Sequence, residues 1–128
     1  MERWVTVAEH YQVTTTTASR SEADRLAALA VETRLAACGQ VSGPVTSTYR
    51  WEGEIRTADE WVCTFKTSSV ALQPLLAALR AAHDYDTPEL VATPIVTGDA
   101  DYLAWIDAET KPPPERSPAR PGNAPPAP

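Results

Sequence analysis

Residues 40–69, QVSGPVTSTYRWEGEIRTADEWVCTFKTSS, decide the fold of this chain. β-Branched and aromatic residues are frequent on both sides of a central Glu-Gly-Glu, a composition typical of two strands joined by a turn. Alternate residues of 45–51 share one face, Gly53 lies at the turn, and residues 61–66 form the returning strand. Gly43-Pro44 predicts a bulge or bend in the first strand. The centre of the chain is therefore predicted to be one long β-hairpin.

Two predicted helices flank this hairpin. Residues 19–39 begin with capping boxes and repeat alanine and leucine at helical spacing, and Gly39 is the predicted end of the helix. The second helix carries an apolar stripe at helical spacing, formed by Leu72, Leu75, Leu76 and Leu79. Pro74 has to lie near its start because a proline deep inside a helix breaks the hydrogen-bond ladder. We predict that this helix ends near His83.

Two further strands and a short helix complete the pattern. Residues 11–18, YQVTTTTA, predict the first strand, and residues 89–96, ELVATPIV, predict the last. Pro94 within the last strand indicates an edge position or a bulge. Residues 99–109 predict a closing helix with Asp99 as its N-cap. The order of elements predicts an α+β fold, a ferredoxin-like split β-α-β subunit with an antiparallel sheet and an extra C-terminal helix.

This topology leaves one face of the sheet uncovered. Right-handed crossovers place both long helices on the same face, so an apolar opposite face requires another subunit to cover it. Tyr49, Trp51 and Trp61 are candidates for that contact. The alternative is that these rings pack inside one subunit. The prediction of an oligomer therefore depends on topology more than on any one residue.

The two ends of the chain differ from its centre. The 128 residues are predicted to hold one domain at residues 11–110, preceded by an N-terminal extension at 1–10. Residues 111–128 contain eight of the twelve prolines and no large apolar side chain, so we predict a disordered proline-rich tail. We interpret the tail as a spacer. The alternative, a proline-motif ligand for another protein, has no aromatic residue or repeated register to support it.

Charge and cysteine usage argue against several classes of function. Residues 1–110 carry 8 Lys and Arg against 16 Asp and Glu, a balance that argues against binding to nucleic acid or to anionic membranes. We find no signal-peptide pattern and no apolar stretch long enough to span a bilayer, so we expect a cytoplasmic protein. Cys38 and Cys63 lie outside any CxxC pair and are interpreted as buried thiols.

Four segments that follow one another between residues 12 and 108 carry a specific signature: RLAACGQVSGPVTSTYRWEGEI, FKTS, HDYDTPELVATPI and GDADYLAWI. Together they resemble the CutA family, the divalent-cation tolerance proteins. The resemblance implies a ferredoxin-like subunit that assembles as a homotrimer, sheet against sheet, with long hairpins wrapping the neighbour. It also implies a role in the tolerance of copper and other divalent cations. The family trimer is similar to that of the PII signalling proteins.

Residues 83–91, HDYDTPELV, are the candidate metal site. Copper(II) favours imidazole nitrogen with supporting carboxylates, which makes His83 and Glu89 the predicted ligands. The resemblance implies that some members bind copper through a cysteine at the end of the first strand and a histidine pair. The matching positions here are Thr16 and Ala82, so His83 alone remains of that set and we expect weak binding of a divalent cation such as copper. The alternative is a turn whose acidic residues cap backbone N–H groups.

The same region permits a second interpretation without a metal. In a CutA-like trimer, aromatic and charged residues would gather near clefts between subunits and form a small-molecule site: Trp51, Glu52, Lys66, Tyr85, Glu89, Tyr102 and Trp105. A Lys66–Glu89 ion pair at the interface is an equal alternative. With such a site the protein would be a PII-like signalling trimer. A highly stable scaffold that presents partners is a third option.

Catalysis is the remaining class of function. The chain has no nucleophile elbow, P-loop or GxGxxG motif, and His83 beside carboxylates is its one acid–base constellation. Such pairs are common in proteins without catalytic activity. We therefore predict a protein that is not an enzyme.

Overall fold

Seven elements follow one another in the predicted order in the computed structural model, which describes residues 8–111. They are β1 (His10–Thr17), α1 (Arg20–Glu32), β2 (Cys38–Trp51), β3 (Glu54–Ser68), α2 (Ser69–Ala82), β4 (Val91–Pro94) and α3 (Ala100–Glu109). The predicted tail lies outside the described residues from position 112 onward, as do residues 1–7 of the predicted N-terminal extension.

The four strands form one antiparallel sheet in the order β2-β3-β1-β4. β2 and β4 are its edges, which places Pro94 on an edge strand as predicted. Each of the two strand-helix-strand crossovers skips one position in the sheet, and the resulting order is that of the predicted ferredoxin-like α+β subunit.

The core lies between the sheet and the two long helices. Val13 of β1 and Phe65 of β3 are fully buried there, together with Leu26 of α1 and Leu75 and Leu79 of α2. Complete burial of side chains of this size stabilises a fold by about 1.5–3 kcal/mol each. Because side chains alternate along a strand, the neighbours of these strand residues point to the opposite face of the sheet.

The central hairpin is longer than predicted and projects beyond the rest of the sheet. β3 begins at Glu54, whereas its apolar pattern begins only at Trp61. β1 pairs with β3 as far as Thr17 opposite Trp61, so residues 54–60 pair with β2 alone. Residues 54–60 carry mainly polar side chains, and both faces of this part of β3 stay largely exposed. Polar side chains are tolerated there because the segment is held by main-chain hydrogen bonds to β2. We refer to residues 45–60 as the hairpin arm.

The bulge predicted at Gly43-Pro44 is confirmed. The register of β2 against β3 shifts between Ser42 and Val45, and the Gly43-Pro44 peptide is cis. Gly43 has a φ of +145°, and a Cβ at this position would lie 3.0 Å from the carbonyl oxygen of Glu60. Glycine is therefore favoured both by its backbone conformation and by the close approach of β3.

The prediction that α1 ends at Gly39 is wrong. The helix ends at Glu32, and Arg34 takes the left-handed conformation with a φ of 62°. Gly39 lies in β2 instead, where an added Cβ would be 3.0 Å from the Cβ of Ala27. The glycine therefore permits α1 to pack closely on the sheet, a role that local sequence does not distinguish from a helix end.

Two other boundaries differ from the predictions. α2 begins at Ser69 and ends at Ala82, next to the predicted end, which puts Pro74 in its second turn. β4 spans Val91–Pro94 instead of residues 89–96, because β1 pairs with it over four positions only. The predicted N-cap of α3, Asp99, is confirmed. No helix within the described part of the chain is long and apolar enough to cross a membrane.

The three aromatic candidates for a subunit contact differ in their burial. Trp61 packs against the core of its own subunit. Tyr49 and Trp51 remain 42% and 45% exposed on the hairpin arm. Tyr49 and Trp51 thus stay candidates for contact with another subunit, while Trp61 contributes to the fold of this one.

Candidate functional site

A groove of about 800 Å³ lies between the hairpin arm and the loop of residues 84–89 that follows α2. Tyr49 and Trp51 line it from the arm, Tyr85 lines it from the loop, and Thr16 lines it at the end of β1. We call this feature the arm groove. It has aromatic walls, as sites that bind small molecules often have, and it is open to solvent along its length.

The arm groove carries charges of both signs. Arg50 and Arg56 line it on the arm, and the guanidinium Nη2 of Arg56 lies 3.8 Å from Glu54 Oε2. The acidic lining residues are Glu60, Asp84, Asp86 and Glu89. Neither arginine was predicted as a site residue, although Arg50 lies between Tyr49 and Trp51 in the sequence. Arg56 comes next to Tyr49 only through the pairing of β2 with β3.

His83 lies beneath this groove as the C-cap of α2, and its side chain is fully buried. Its Nε2 is 2.9 Å from the carbonyl oxygen of Thr16 and 3.1 Å from Thr15 Oγ1, while the N–H of Tyr85 donates to Nδ1 at 3.0 Å. Because Nδ1 accepts and the Thr16 carbonyl can only accept, the hydrogen is on Nε2. Both ring nitrogens are therefore engaged in holding the loop against β1.

Glu22 is a buried residue of this site that sequence analysis did not assign to it. Its side chain is 5% exposed, and Oε1 accepts the N–H of Asp84 at 2.8 Å. The same oxygen lies 3.6 Å from Arg25 Nη2 and 3.9 Å from His83 Nδ1. Ser19 caps α1 by accepting the Glu22 N–H, as the capping box predicts. The carboxylate, however, accepts a hydrogen bond from the loop after α2. The only sign of this role in the sequence is that an acidic residue stands in the first turn of the helix.

Tyr85 joins the loop to the hairpin arm. Its hydroxyl donates to Glu60 Oε2 at 2.8 Å, and its ring packs against His83 with centroids 5.0 Å apart. Burial, followed by the hydrogen bond to Glu60 and the charge of that carboxylate, raises the pKa of Tyr85 above its usual range. The phenol therefore stays protonated and keeps its donor role at neutral pH.

The two predicted metal ligands occupy different environments. His83 is buried under the loop, and Glu89 is exposed on the arm groove. Of the two positions that match family ligands, Thr16 binds His83 through its carbonyl and Ala82 is the last residue of α2. Within residues 8–111 no group of three or more His, Cys, Asp or Glu side chains is arranged to hold a metal ion. The backbone N–H groups of Asp84 and Tyr85 donate to Glu22 and to His83, and not to the acidic residues of the turn itself. The hydrogen bonds of residues 83–85 therefore do not confirm the capping role predicted for those acidic residues, and the metal site stays a prediction.

The predicted small-molecule site is divided within one subunit. Trp51, Tyr85 and Glu89 line the arm groove, and Glu52 lies at the exposed hairpin turn with a φ of 51°. The other three residues lie near α3, at the far end of β3: Lys66, Tyr102 and Trp105. Lys66 donates to Gln40 Oε1 at 3.3 Å, and the two aromatic rings pack 5.5 Å apart on α3. A second subunit would be needed to bring the two groups together.

Comparison with known proteins relates this chain to a family. Residues 11–109 match the family model described as CutA1 divalent ion tolerance protein. The Divalent-cation tolerance protein CutA of Pectobacterium atrosepticum is 42% identical over 89 residues, which cover 70% of this chain and 81% of the relative. The protein of the same name from Citrobacter koseri is 36% identical over 107 residues, which cover 84% of this chain and 93% of the relative. The solved structure of the divalent cation tolerance protein (Cut A1) from Thermus thermophilus has a TM-score of 0.77 at 37% identity, over 80% of this chain and 99% of that chain. The chain therefore belongs to the CutA1 family of divalent ion tolerance proteins.

Proposed function

We propose that this protein takes part in the response to divalent cations as a homotrimer without catalytic activity. The observation that carries the proposal is the family match over residues 11–109, which contain almost all of the sheet and all three helices. A role in metal tolerance is what the names of the relatives describe for those proteins. The trimer is supported separately, by the sheet itself.

The face of the sheet away from α1 and α2 is only partly covered in one subunit. Gln12, Thr14 and Thr64 on this face are half-buried but polar, so the apolar surface from which an oligomer was predicted is not found at these positions. Among the described residues α3 covers one end, where Asp107 Oδ1 lies 3.1 Å from His10 Nε2. The support for an oligomer comes from the edges of the sheet. β2 and β4 are both edge strands with free main-chain groups. Head-to-tail pairing of two different edges builds a ring when the rotation between copies closes, in contrast to a two-fold dimer. The number of three copies is taken from the family resemblance.

Light scattering on the eluate of a size-exclusion column tests the trimer. We expect a mass of about three subunits of 13.9 kDa for the full-length protein. Trp51→Glu should shift the mass towards one subunit, because it places a charge on an exposed aromatic contact, while Glu52→Gln next to it should not. A full-length protein that is monomeric at micromolar concentration would contradict the trimer.

We also propose that copper(II) binds weakly at His83. One imidazole with carboxylates is a poor set of ligands for a first-row metal. In addition, the ring is buried and both of its nitrogens are hydrogen-bonded, so binding has to break an existing contact. Glu89, the carboxylate predicted from the sequence, reaches this ring only if the loop rearranges, because Glu89 is exposed on the groove.

Calorimetric titration with copper(II) tests this part of the proposal. We expect a dissociation constant weaker than about 1 μM, that is, a binding free energy smaller than about 8 kcal/mol. The binding should be lost in His83→Ala and kept in His10→Ala, which removes the only other histidine of the chain. Tight binding that is unaffected by His83→Ala would place the copper elsewhere.

A second candidate function is the binding of a small molecule, as in PII-like signalling proteins. The aromatic and oppositely charged lining of the arm groove favours it. Candidate small molecules can be screened for their effect on the thermal stability of the protein, with and without a chelator. This screen distinguishes small-molecule binding from metal binding. A ligand that stabilises the chelated protein supports it, and a trimer that responds to neither ligand nor metal would favour the scaffold function.

We propose a cytoplasmic location for the protein. The support is that Cys38 and Cys63 are both free thiols, as expected in a reducing compartment. Cys63 is buried as predicted, whereas the prediction is wrong for Cys38, which is only partly buried. Fractionation of cells that express the tagged protein tests this location directly.

A further inference from the structure

We propose that the proline-rich tail of this chain docks in the arm groove of its own subunit. Residues 118–121, Pro-Ala-Arg-Pro, lie against the aromatic wall of the groove, and Arg120 pairs with the carboxylates of Asp86 and Glu89. This contact replaces the spacer role predicted for residues 111–128. It does not depend on the proposed metal response, because no metal takes part in it.

The sequence of the tail suits an aromatic groove. Residues 118–121 form a P-x-x-P motif that contains Arg120 and follows Arg116 by two positions. Segments with this spacing favour the extended polyproline II helix and bind grooves that are walled by aromatic side chains. Proline restricts the chain before it binds, so docking costs less conformational entropy than it would for an ordinary segment. A single groove needs one copy of the motif and no repeated register.

The arm groove provides the aromatic wall. Tyr49 and Trp51 are 42% and 45% exposed on the arm, and Tyr85 lines the groove from the loop. The volume of about 800 Å³ lies in the range of sites that hold a drug-sized ligand. A segment of four residues is of that size, so the groove can hold the P-x-x-P motif.

The charges of the groove and of the tail are opposite in sign. Two arginines and four carboxylates line the groove, whereas residues 112–128 carry two arginines and one glutamate. Asp86 and Glu89 are exposed, and within residues 8–111 neither takes part in an ion pair. These two carboxylates are therefore open to an arginine, whose planar guanidinium suits carboxylate oxygens.

The tail starts at one end of β1, and the arm groove lies at the other end. Thr110 Oγ1 is 2.8 Å from Ser68 Oγ, and Ser68 pairs with His10 at the start of β1. Thr16, which lines the groove, is six residues further along this strand. At about 3.3 Å per residue, the tail has to span about 20 Å to reach the near end of the groove.

The length of the tail selects Arg120 over Arg116. A polyproline II helix rises about 3.1 Å per residue. Arg120 is nine residues beyond Lys111 and reaches about 28 Å, whereas Arg116 is five residues beyond it and reaches about 16 Å. Of the two arginines, Arg120 alone therefore reaches the groove of its own subunit.

A docked tail regulates what the arm groove binds. The tail and a small molecule compete for the same aromatic wall, so the apparent affinity for the small molecule falls with the fraction of grooves that the tail leaves open. Arg120 also ties residues 84–89 down, in addition to the hydrogen bond of 2.8 Å between the Tyr85 hydroxyl and Glu60.

Hydrogen–deuterium exchange of the full-length protein tests the docking. In Arg120→Glu we expect the amides of residues 84–87 to exchange about 10-fold faster than in the wild type, as for the loss of one hydrogen bond to a charged group. Arg116→Glu is the matched control, because it reverses the same charge at a position that does not reach the groove. We expect wild-type exchange in this control.

A charge swap tests the partner of Arg120. Glu89→Arg alone should also speed the exchange of residues 84–87, and Glu89→Arg combined with Arg120→Glu should restore the slow exchange, because the pair is rebuilt with its charges reversed.

Three results would overturn the inference. The first is equal exchange in the wild type and in Arg120→Glu. The second is equal acceleration in Arg116→Glu and Arg120→Glu, which would show a general attraction between a basic tail and an acidic domain. The third is fast exchange that the charge swap leaves unchanged, which would place Arg120 away from Glu89.

Discussion

Replacement of His83 by alanine should destabilise the protein far more than replacement of His10. The ring of His83 is fully buried, and its removal leaves the carbonyl of Thr16 and the N–H of Tyr85 without their partner. A buried polar group that loses its hydrogen bond costs about 1–3 kcal/mol, and the cavity left by the ring adds to this. We expect a loss of about 4 kcal/mol in the free energy of unfolding.

His10 provides the comparison. Its ring has one side-chain hydrogen bond, to Asp107, and that carboxylate is 49% exposed and can be hydrated after the substitution. We expect His10→Ala to cost about 1–2 kcal/mol. Urea unfolding at neutral pH, at one protein concentration because an oligomer is expected, measures both values. Equal losses in the two variants, or a loss below about 1 kcal/mol for His83→Ala, would refute the reasoning that this histidine fixes the loop.

Two further predictions concern the buried thiol of Cys63 and the glycines Gly39 and Gly53. Burial, and after it the charge of Asp24, raises the pKa of the Cys63 thiol from 9.0 to about 12. Because the folded state holds this proton more tightly than the unfolded state, stability is fully present below pH 9.0 and falls as the pH rises towards 12. Urea unfolding therefore measures the free energy of unfolding at pH 8 and at ~10.5 for the wild type and for Cys63→Ala. Between these two pH values the wild type should lose ~2 kcal/mol more than the variant. An identical loss in both proteins would contradict the raised pKa. Gly39→Ala should cost about 1–3 kcal/mol because its Cβ would lie 3.0 Å from that of Ala27. At Gly53 an added Cβ meets no atom within 4 Å, but φ is +79°, so we expect Gly53→Ala to cost about 1 kcal/mol in melting experiments. A smaller loss for Gly39→Ala than for Gly53→Ala would argue against close packing of α1 on the sheet.

The candidate site was only partly accessible from the sequence. The loop after α2 could be located because His83, the acidic residues and the proline stand together in the chain, and Trp51 could be placed on the hairpin by its alternation. Glu22 could not be assigned, since its hydrogen bond to Asp84 joins residues that are 62 positions apart. Its position in the first turn of α1 is equally well explained by helix capping.

The sequence by itself determined the order and type of the elements, because these depend on signals within a few residues. Examples are the leucine stripe of α2, the N-cap Asp99 of α3 and the turn at Gly53. Only the tertiary structure decided how far β3 extends, where α1 ends and what Glu22 binds. These properties depend on strand pairing and on contacts between distant segments, and the free energy of such contacts comes from burial and geometry that no local pattern records.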